Sequence, residues 1–279
     1  MTNLKEALTT GTSLLAPSSP SARIDAEILL SNVLNTNQTF LYTHPETKLN
    51  DTTLAKYHAL LTARIQGVPI AYLIGTREFW SLPLLVSKDT LIPRPETELL
   101  VEKVLEMIDA SRHAKILDLG TGSGAIALAL AHTRPNWQIT ACDHSEAALR
   151  IATENRDRLQ IPNITLLRSD WFATIHESAF DAILSNPPYI AEQDPHLLHG
   201  DVRFEPRCAL VSGIDGLESL QYIIKHSYNY LAPQGLLLLE HGYNQRSEMA
   251  TLLTEHGYQD IQCWQDWQGQ DRVSAGRRG

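Results

Sequence analysis

Lys115-Ile116-Leu117-Asp118-Leu119-Gly120-Thr121-Gly122-Ser123-Gly124-Ala125-Ile126-Ala127 runs from an apolar stretch through a glycine turn into a second apolar stretch. Ile116, Leu117 and Leu119 read as the end of a buried strand, and residues 125–131 as an alanine- and leucine-rich helix. Glycine tolerates positive φ and lets a backbone approach a ligand closely, while a helix start offers N–H groups without partners inside the helix. Strand, turn and helix in this order predict a nucleotide-binding device. The spacing is G-x-G-x-G, not the G-x-G-x-x-G of dinucleotide folds. At this point a purely structural turn is the competing reading.

Downstream, apolar strand patterns alternate with helical ones, which predicts a parallel sheet. Strands are expected at 115–119, 138–142 (ending on Asp143), 164–167, 181–185 and 235–240, and helices to about 132 and at 145–159, 217–231 and 245–255. Segments 259–264 and 271–275 read as an antiparallel closing pair. The fold class expected is α/β: a Rossmann-like, seven-stranded sheet with an antiparallel last strand, preceded by a small helical domain. Upstream, Phe79-Trp80 and the alternation Leu82, Leu84, Val86 predict a hairpin within 72–86. In Pro93-Arg94-Pro95-Glu96-Thr97-Glu98, the two prolines hold the chain extended, and Glu96 or Thr97 can cap a helix over 99–108. Residues 3–75 read as short amphipathic helices. Leu4, Ala7 and Leu8 share one face; Ile24, Ile28, Leu29, Val33 and Leu34 share another; a third helix covers 54–65. Asp25 and Glu27 would complement the dipole at the start of the second helix.

At 279 residues, with 43% hydrophobic and 20% charged residues, the composition is that of an ordinary globular protein. No apolar run approaches the roughly 20 residues that cross a bilayer, and the first residues lack the apolar core of a signal peptide. Cys142, Cys208 and Cys263 suggest neither a disulfide framework nor a zinc site, so a reducing, cytoplasmic location and no metal are expected. His196 and His199 read as solvated loop residues. A net charge of −9 supplies no global basic field for a nucleic-acid backbone.

In open α/β sheets ligands sit outside the carboxyl ends of the strands. Four of the expected strand ends carry polar or aromatic groups: Gly120–Gly124, Asp143, Asp170-Trp171 and Asn186-Pro187-Pro188-Tyr189. An acid such as Asp143 can accept both hydroxyls of a ribose, although it could also cap the following helix, a task open to Ser145 as well. Trp171 could cover an adenine or be core. A planar NH₂ group needs two acceptors, and the Asn186 side-chain oxygen and the Pro187 carbonyl can supply them. Two prolines stiffen that turn, and Tyr189 offers a flat face on which an amide or a base can stack. Acceptors placed so draw electron density back to the nitrogen, which can then attack an electrophilic methyl group. The plain alternative is a turn.

Asp118–Gly124 with Asn186–Tyr189 resembles class I S-adenosylmethionine-dependent methyltransferases acting on planar NH₂ groups. Gly75-Thr76-Arg77-Glu78-Phe79, Leu91-Ile92-Pro93-Arg94-Pro95-Glu96-Thr97-Glu98 and Leu239-Glu240-His241-Gly242 narrow this. With the helical N-terminus, these stretches resemble the release factor glutamine methyltransferase (HemK/PrmC) family along essentially the whole chain. The resemblance implies methyl transfer to the glutamine of the Gly-Gly-Gln motif of class I peptide chain release factors. It implies that Gly120, Thr121, Gly122, Ser123, Gly124, Asp143, Trp171 and Asn186 contact the cofactor, S-adenosylmethionine. Asn186, Pro187, Pro188 and Tyr189 would hold the glutamine amide. Residues 1–75 would dock the release factor, 76–92 would form a hairpin and linker, and 93–279 the methyltransferase domain, in a monomer. Ser123 stands where the family also has threonine. A ribosomal-protein glutamine methyltransferase and an adenine-specific DNA methyltransferase are the enzymatic alternatives. A nucleotide-binding adaptor or an NAD-dependent oxidoreductase would be the alternatives of another class.

Overall fold

The computed structural model of the chain describes residues 2–279 and divides into two compact units. The first holds the residues up to Thr76 together with Leu198–Phe204, and the second holds Arg77–Leu197 and Glu205–Gly279.

The first unit contains α1 (Leu4–Leu15), α2 (Ala22–Leu34), α3 (Gln38–Thr43), α4 (Asp51–Ile65) and α5 (Ile70–Ile74). A capping box opens α1: the Asn3 side chain accepts from the Glu6 N–H, and the Glu6 carboxylate accepts from the Asn3 N–H. Leu4, Leu8, Leu15, Leu29, Leu30, Tyr57 and Leu61 form the core. The face expected for α2 is met in part: Leu29 is buried and Val33 and Leu34 pack against the core, but Ile24 is 56% exposed, and Ala26 and Leu30 also turn inward. Asp25 on the same helix is buried and accepts from Arg64 Nε at 2.8 Å, Ser19 at 2.7 Å and Ser21 at 2.9 Å. Glu27, also buried, pairs with Arg23 and accepts from the Tyr42 hydroxyl. Both acids therefore do more than complement a dipole; they tie α2 to its neighbours. Helices α3 and α5, of 6 and 5 residues, were too short to announce themselves by periodicity.

In the second unit a hairpin, β1 (Thr76–Phe79) and β2 (Leu82–Leu85), precedes α6 (Glu98–Met107), β3 (Lys115–Leu119), α7 (Ala125–Thr133) and β4 (Gln138–Asp143). Then come α8 (Glu146–Leu159), β5 (Ile164–Arg168), β6 (Phe180–Ser185), α9 (Glu218–Ser227), β7 (Leu231–Glu240), α10 (Arg246–Glu255), β8 (Tyr258–Gln265) and β9 (Asp271–Arg278). One seven-stranded sheet has the order β5-β4-β3-β6-β7-β9-β8. Strands β3 to β7 pair in parallel, and β9 runs antiparallel to both β7 and β8. The last strand is thus antiparallel, as expected, and lies inside the sheet. Ile116, Ile139 and Leu184 pack on one face with α6 and α7, while Leu117, Ile183 and Leu237 pack on the other with α9 and α10. Burial on both faces accounts for strands that read as near-continuous apolar runs. The helix expected to reach 231 stops at Ser227, and β7 starts at Leu231 rather than 235. Leu231 pairs with Phe180 ahead of a register shift that takes up Pro233 and Gly235.

Candidate active site

The strand order reverses at β3, with β4 and β5 on one side and β6 and β7 on the other. The register sets Leu119 beside both Cys142 and Ser185, and Ser185 beside Leu239, so the strand ends finish level. Their following residues line a cleft that includes Gly120, Gly122, Asp143, Trp171, Asn186 and Pro188. Asp89 and Leu91 form part of one wall, and Cys208 and Ala209 part of another.

The glycine turn is held by its own backbone. The N–H groups of Gly120 and Thr121 both donate to the Cys142 carbonyl at 2.9 Å, and the Gly124 N–H donates to the Thr121 carbonyl at 2.8 Å. Gly122 and Gly124 are both left-handed, at φ of 57° and 87°. They differ in their surroundings. A Cβ at Gly122 meets nothing within 4 Å, whereas one at Gly124 would lie 2.9 Å from Leu128 Cδ1 and 3.3 Å from Ala152 Cβ. Thr121 donates its hydroxyl proton to Asp118, a fully buried acid in β3, at 2.6 Å. Burial pushes the Asp118 carboxyl up to about 7, against the opposing pull of the Thr121 hydrogen bond.

Asp143 is buried, and its two oxygens accept from the Gly122 N–H and the Ser145 N–H, each at 2.9 Å. Ser145, not Asp143, caps α8, through the Ala148 N–H at 3.2 Å. The half-buried Trp171 ring packs on the apolar layer beneath the sheet and also borders the cleft, with exposed Asp170 beside it.

After β6, Asn186 donates through Nδ2 to the Thr97 hydroxyl oxygen at 3.1 Å, which leaves its Oδ1 on the other limb of the amide. Pro187 is buried. The Tyr189 hydroxyl donates to Glu240 at 3.1 Å, and the Tyr189 carbonyl accepts from Gln245 at 3.1 Å. Burial and the Glu240 charge push the Tyr189 hydroxyl up, so it stays a proton donor. His196 and His199 are exposed, and His196 pairs with Asp194 at 2.7 Å. Among the described residues, no group of three or more His, Cys, Asp or Glu side chains is arranged to hold a metal ion. No helix among them is long and apolar enough to cross a membrane.

Residues 79–200 match the family described as "Methyltransferase small domain", and residues 6–75 match the "PrmC N-terminal domain". A Shewanella oneidensis protein named release factor glutamine methyltransferase is 47% identical, over 94% of this chain and 92% of its own length. The chain belongs to the release factor glutamine methyltransferase family. The Escherichia coli K12 protein of that name is 48% identical over 93% of each chain. A methyltransferase from Pyrococcus furiosus shares the fold at a TM-score of 0.55 and 17% identity, covering 81% of this chain and 99% of its own. The chain is accordingly an enzyme, a methyltransferase.

Several side chains outside the cleft lining of this release factor glutamine methyltransferase family member make contacts that its sequence does not announce. Thr97, considered as a cap for α6, makes no side-chain cap; it is buried and meets Asn186 instead. Glu98 accepts from the Trp80 N–H at 2.8 Å and so closes the β1–β2 turn. Arg94 pairs with Glu205, whose side chain is wholly buried. Glu240 is 1% exposed; burial pushes its carboxyl up, opposed by the hydroxyls of Thr97 and Tyr189 and by the Arg272 charge. One signal was present for Asp118 and Glu240: an acid within or directly after an apolar strand needs buried partners.

Proposed function

We propose that the chain transfers a methyl group from S-adenosylmethionine to the side-chain amide nitrogen of the glutamine in the Gly-Gly-Gln motif of class I peptide chain release factors. The observation carrying this reading is that Asn186 and Pro188 of the Asn-Pro-Pro-Tyr turn line a cleft shared with Gly122 and Asp143. The names of the relatives from Shewanella oneidensis and Escherichia coli support it.

The cleft suits such a cofactor. The space above Gly122 would be filled by any side chain, Asp143 retains lone pairs for two ribose hydroxyls, and Trp171 presents a flat face for adenine. In this reading Gly120, Thr121, Gly122, Ser123 and Gly124 contribute the backbone of the cradle, with Asn186 at its edge. Bound S-adenosylmethionine supplies a methyl group on a positive sulfur, an electrophile already activated. Asn186 Oδ1 and the Pro187 carbonyl accept the two amide hydrogens of the glutamine, and Pro188 stiffens the turn. Tyr189 supports the amide plane. With its hydrogens so held, the nitrogen recovers lone-pair density, and orientation in a dry cleft does most of the work. No general base is required beforehand, since the methylated nitrogen becomes acidic and loses its proton afterwards. Residues 1–75 engage the release factor, 76–92 link, and Pro93–Glu98 close over the cleft in the 93–279 domain. A net charge of −9 suits a protein partner better than DNA. The enzyme acts in the cytoplasm, as a monomer and without a metal.

Mass spectrometry of a purified class I release factor, after incubation with the full chain and S-adenosylmethionine, tests this. One added methyl group on the Gly-Gly-Gln glutamine is expected, and none with Asn186→Ala. No gain from the wild type, with S-adenosylhomocysteine still binding, overturns the substrate assignment and redirects attention to ribosomal proteins.

A further inference from the structure

Two loops meet behind Tyr189: residues 213–216, which lead into α9, and residues 241–245, between β7 and α10. We propose that Gln245 is a positioning residue for methyl transfer, joining both loops to Tyr189 and fixing how the Asn-Pro-Pro-Tyr turn leaves the cleft. Gly216 is the glycine that lets the joint close. This rests on the function proposed above, in which Tyr189 supports the plane of the substrate amide.

Gln245 is buried, and its side-chain amide meets three backbone groups. Its Oε1 accepts from the Gly242 N–H at 2.8 Å. Its Nε2 donates to the Tyr189 carbonyl at 3.1 Å and to the Gly216 carbonyl at 3.4 Å. A backbone N–H only donates and a carbonyl only accepts, so the amide fits one way round. Turned over, it would set an oxygen against two oxygens. The Gln245 N–H also donates to the Gly242 carbonyl at 2.9 Å. Gly242 and Gln245 thus close a ring on each other, which aims the side chain at Tyr189.

Gly216 shows how tight the joint is. Its φ is +80°, and a Cβ there would lie 2.4 Å from the Tyr189 carbonyl oxygen and 3.1 Å from Gln245 Nε2. Any side chain would push the loop off that carbonyl. The chain beyond Tyr189 is bonded to the same loop and the residues just before it. The Ile190 N–H donates to the Leu210 carbonyl at 2.9 Å, the Ser212 N–H to the Ile190 carbonyl at 3.0 Å, and the Glu192 N–H to the Gly213 carbonyl at 2.9 Å. Segment 210–216 therefore runs beside 189–192, and Gln245 locks its end.

Tyr189 is consequently held at two places by one short stretch, 240–245. Its hydroxyl donates to Glu240 at 3.1 Å, and its carbonyl accepts from Gln245 at 3.1 Å. A fixed ring tip alone would let the residue pivot about its hydroxyl, and a fixed carbonyl alone would let the ring turn about χ1. Both together set the ring plane relative to β7. The two prolines pass that setting to Asn186 with little slack. A reacting constellation works when held to within about 0.5 Å and 10–20°, and a displacement of about 1 Å can cost about 100-fold in rate. Gln245 acts through Tyr189, not by touching the reacting atoms.

The experiment compares full-length wild type, Gln245→Met, Gln245→Glu and Gly216→Ala on the amide substrate that the wild type methylates. Failure on release factors alone therefore counts against the proposed function and not against the joint. Methionine keeps the length of the side chain without its hydrogen bonds, whereas glutamate keeps its shape and sets an oxygen against two carbonyls. Gln245→Met is expected to lower kcat roughly 10- to 100-fold and Gln245→Glu further, with Gly216→Ala following the same pattern. KM and calorimetric affinity for S-adenosylhomocysteine should stay near wild type, because the contacts of a protein substrate and of the cofactor extend beyond one amide. Amide hydrogens of residues 190–192 should exchange faster in Gln245→Met, as mass spectrometry reads without any substrate. Wild-type kcat in Gln245→Met, S-adenosylhomocysteine binding weakened in step with kcat, or unchanged exchange across 190–192 would each overturn the proposal. Should Gln245→Met fail to fold, Gly216→Ala decides, and a wild-type kcat in that variant overturns it.

Discussion

Two backbone N–H groups hold the Asp143 carboxylate from behind, one from the glycine turn and one from the start of α8. Its oxygens are thus aimed before any ligand arrives, which removes much of the ordering cost of binding. A hydrogen bond to a charged group is worth about 1.5–3 kcal/mol, so Asp143→Ala should weaken S-adenosylhomocysteine binding roughly 10- to 100-fold. Calorimetry measures this, alongside an unchanged affinity for the release factor; equal cofactor affinity in wild type and variant would remove Asp143 from the site. Residues of this kind were legible because each is a polar group directly after an apolar strand. Thr97 was not legible, since its meaning comes from a side chain 89 residues away. Trp171 was half legible, because one ring serves core and cleft together.

The glycine turn separates two reasons for having no side chain. At Gly124 a methyl group would press on Leu128 and Ala152, so Gly124→Ala should lower stability by roughly 1–3 kcal/mol, as overpacking does. At Gly122 the methyl group would enter open space, and only the left-handed backbone penalty of about 1–2 kcal/mol applies. Gly122→Ala should therefore melt closer to wild type yet bind S-adenosylhomocysteine more weakly of the two. The reverse ranking in paired melting and calorimetry experiments would contradict the division. At this scale the sequence showed strand and helix identities well, because period and length agree over long segments. It showed element ends poorly where tertiary pairing overrides local pattern: β7 begins early because Leu231 finds Phe180. The inward face of α2 was legible in part: Leu29, Val33 and Leu34 pack inward, whereas the exposure of Ile24 and the burial of Asp25 with its arginine and serine partners had no signal in the apolar pattern.

Across the molecule, buried acids make stability depend on pH. Asp118 titrates near 7 when folded and near 3.8 otherwise, so between these values the folded chain keeps a proton that the unfolded chain has lost. Stability from this group is present below the lower value and is lost as pH rises through the upper one. Asp118→Asn should flatten that decline, gaining on the wild type between about pH 4 and about pH 8, as read from urea unfolding at several pH values. Parallel pH slopes in the two proteins would contradict the buried-acid account. The grouping of Leu198–Phe204 with the helices of the first unit had no sequence signal, since it rests on Arg64 reaching Asp201 at 3.4 Å and on packing rather than on any motif. The position of β9 has a consequence for the edge of the sheet. Strand β8 pairs only with β9, and β9 covers β7, with Val273 beside Glu240, so removing residues 258–278 would leave β7 as an open, unpaired edge.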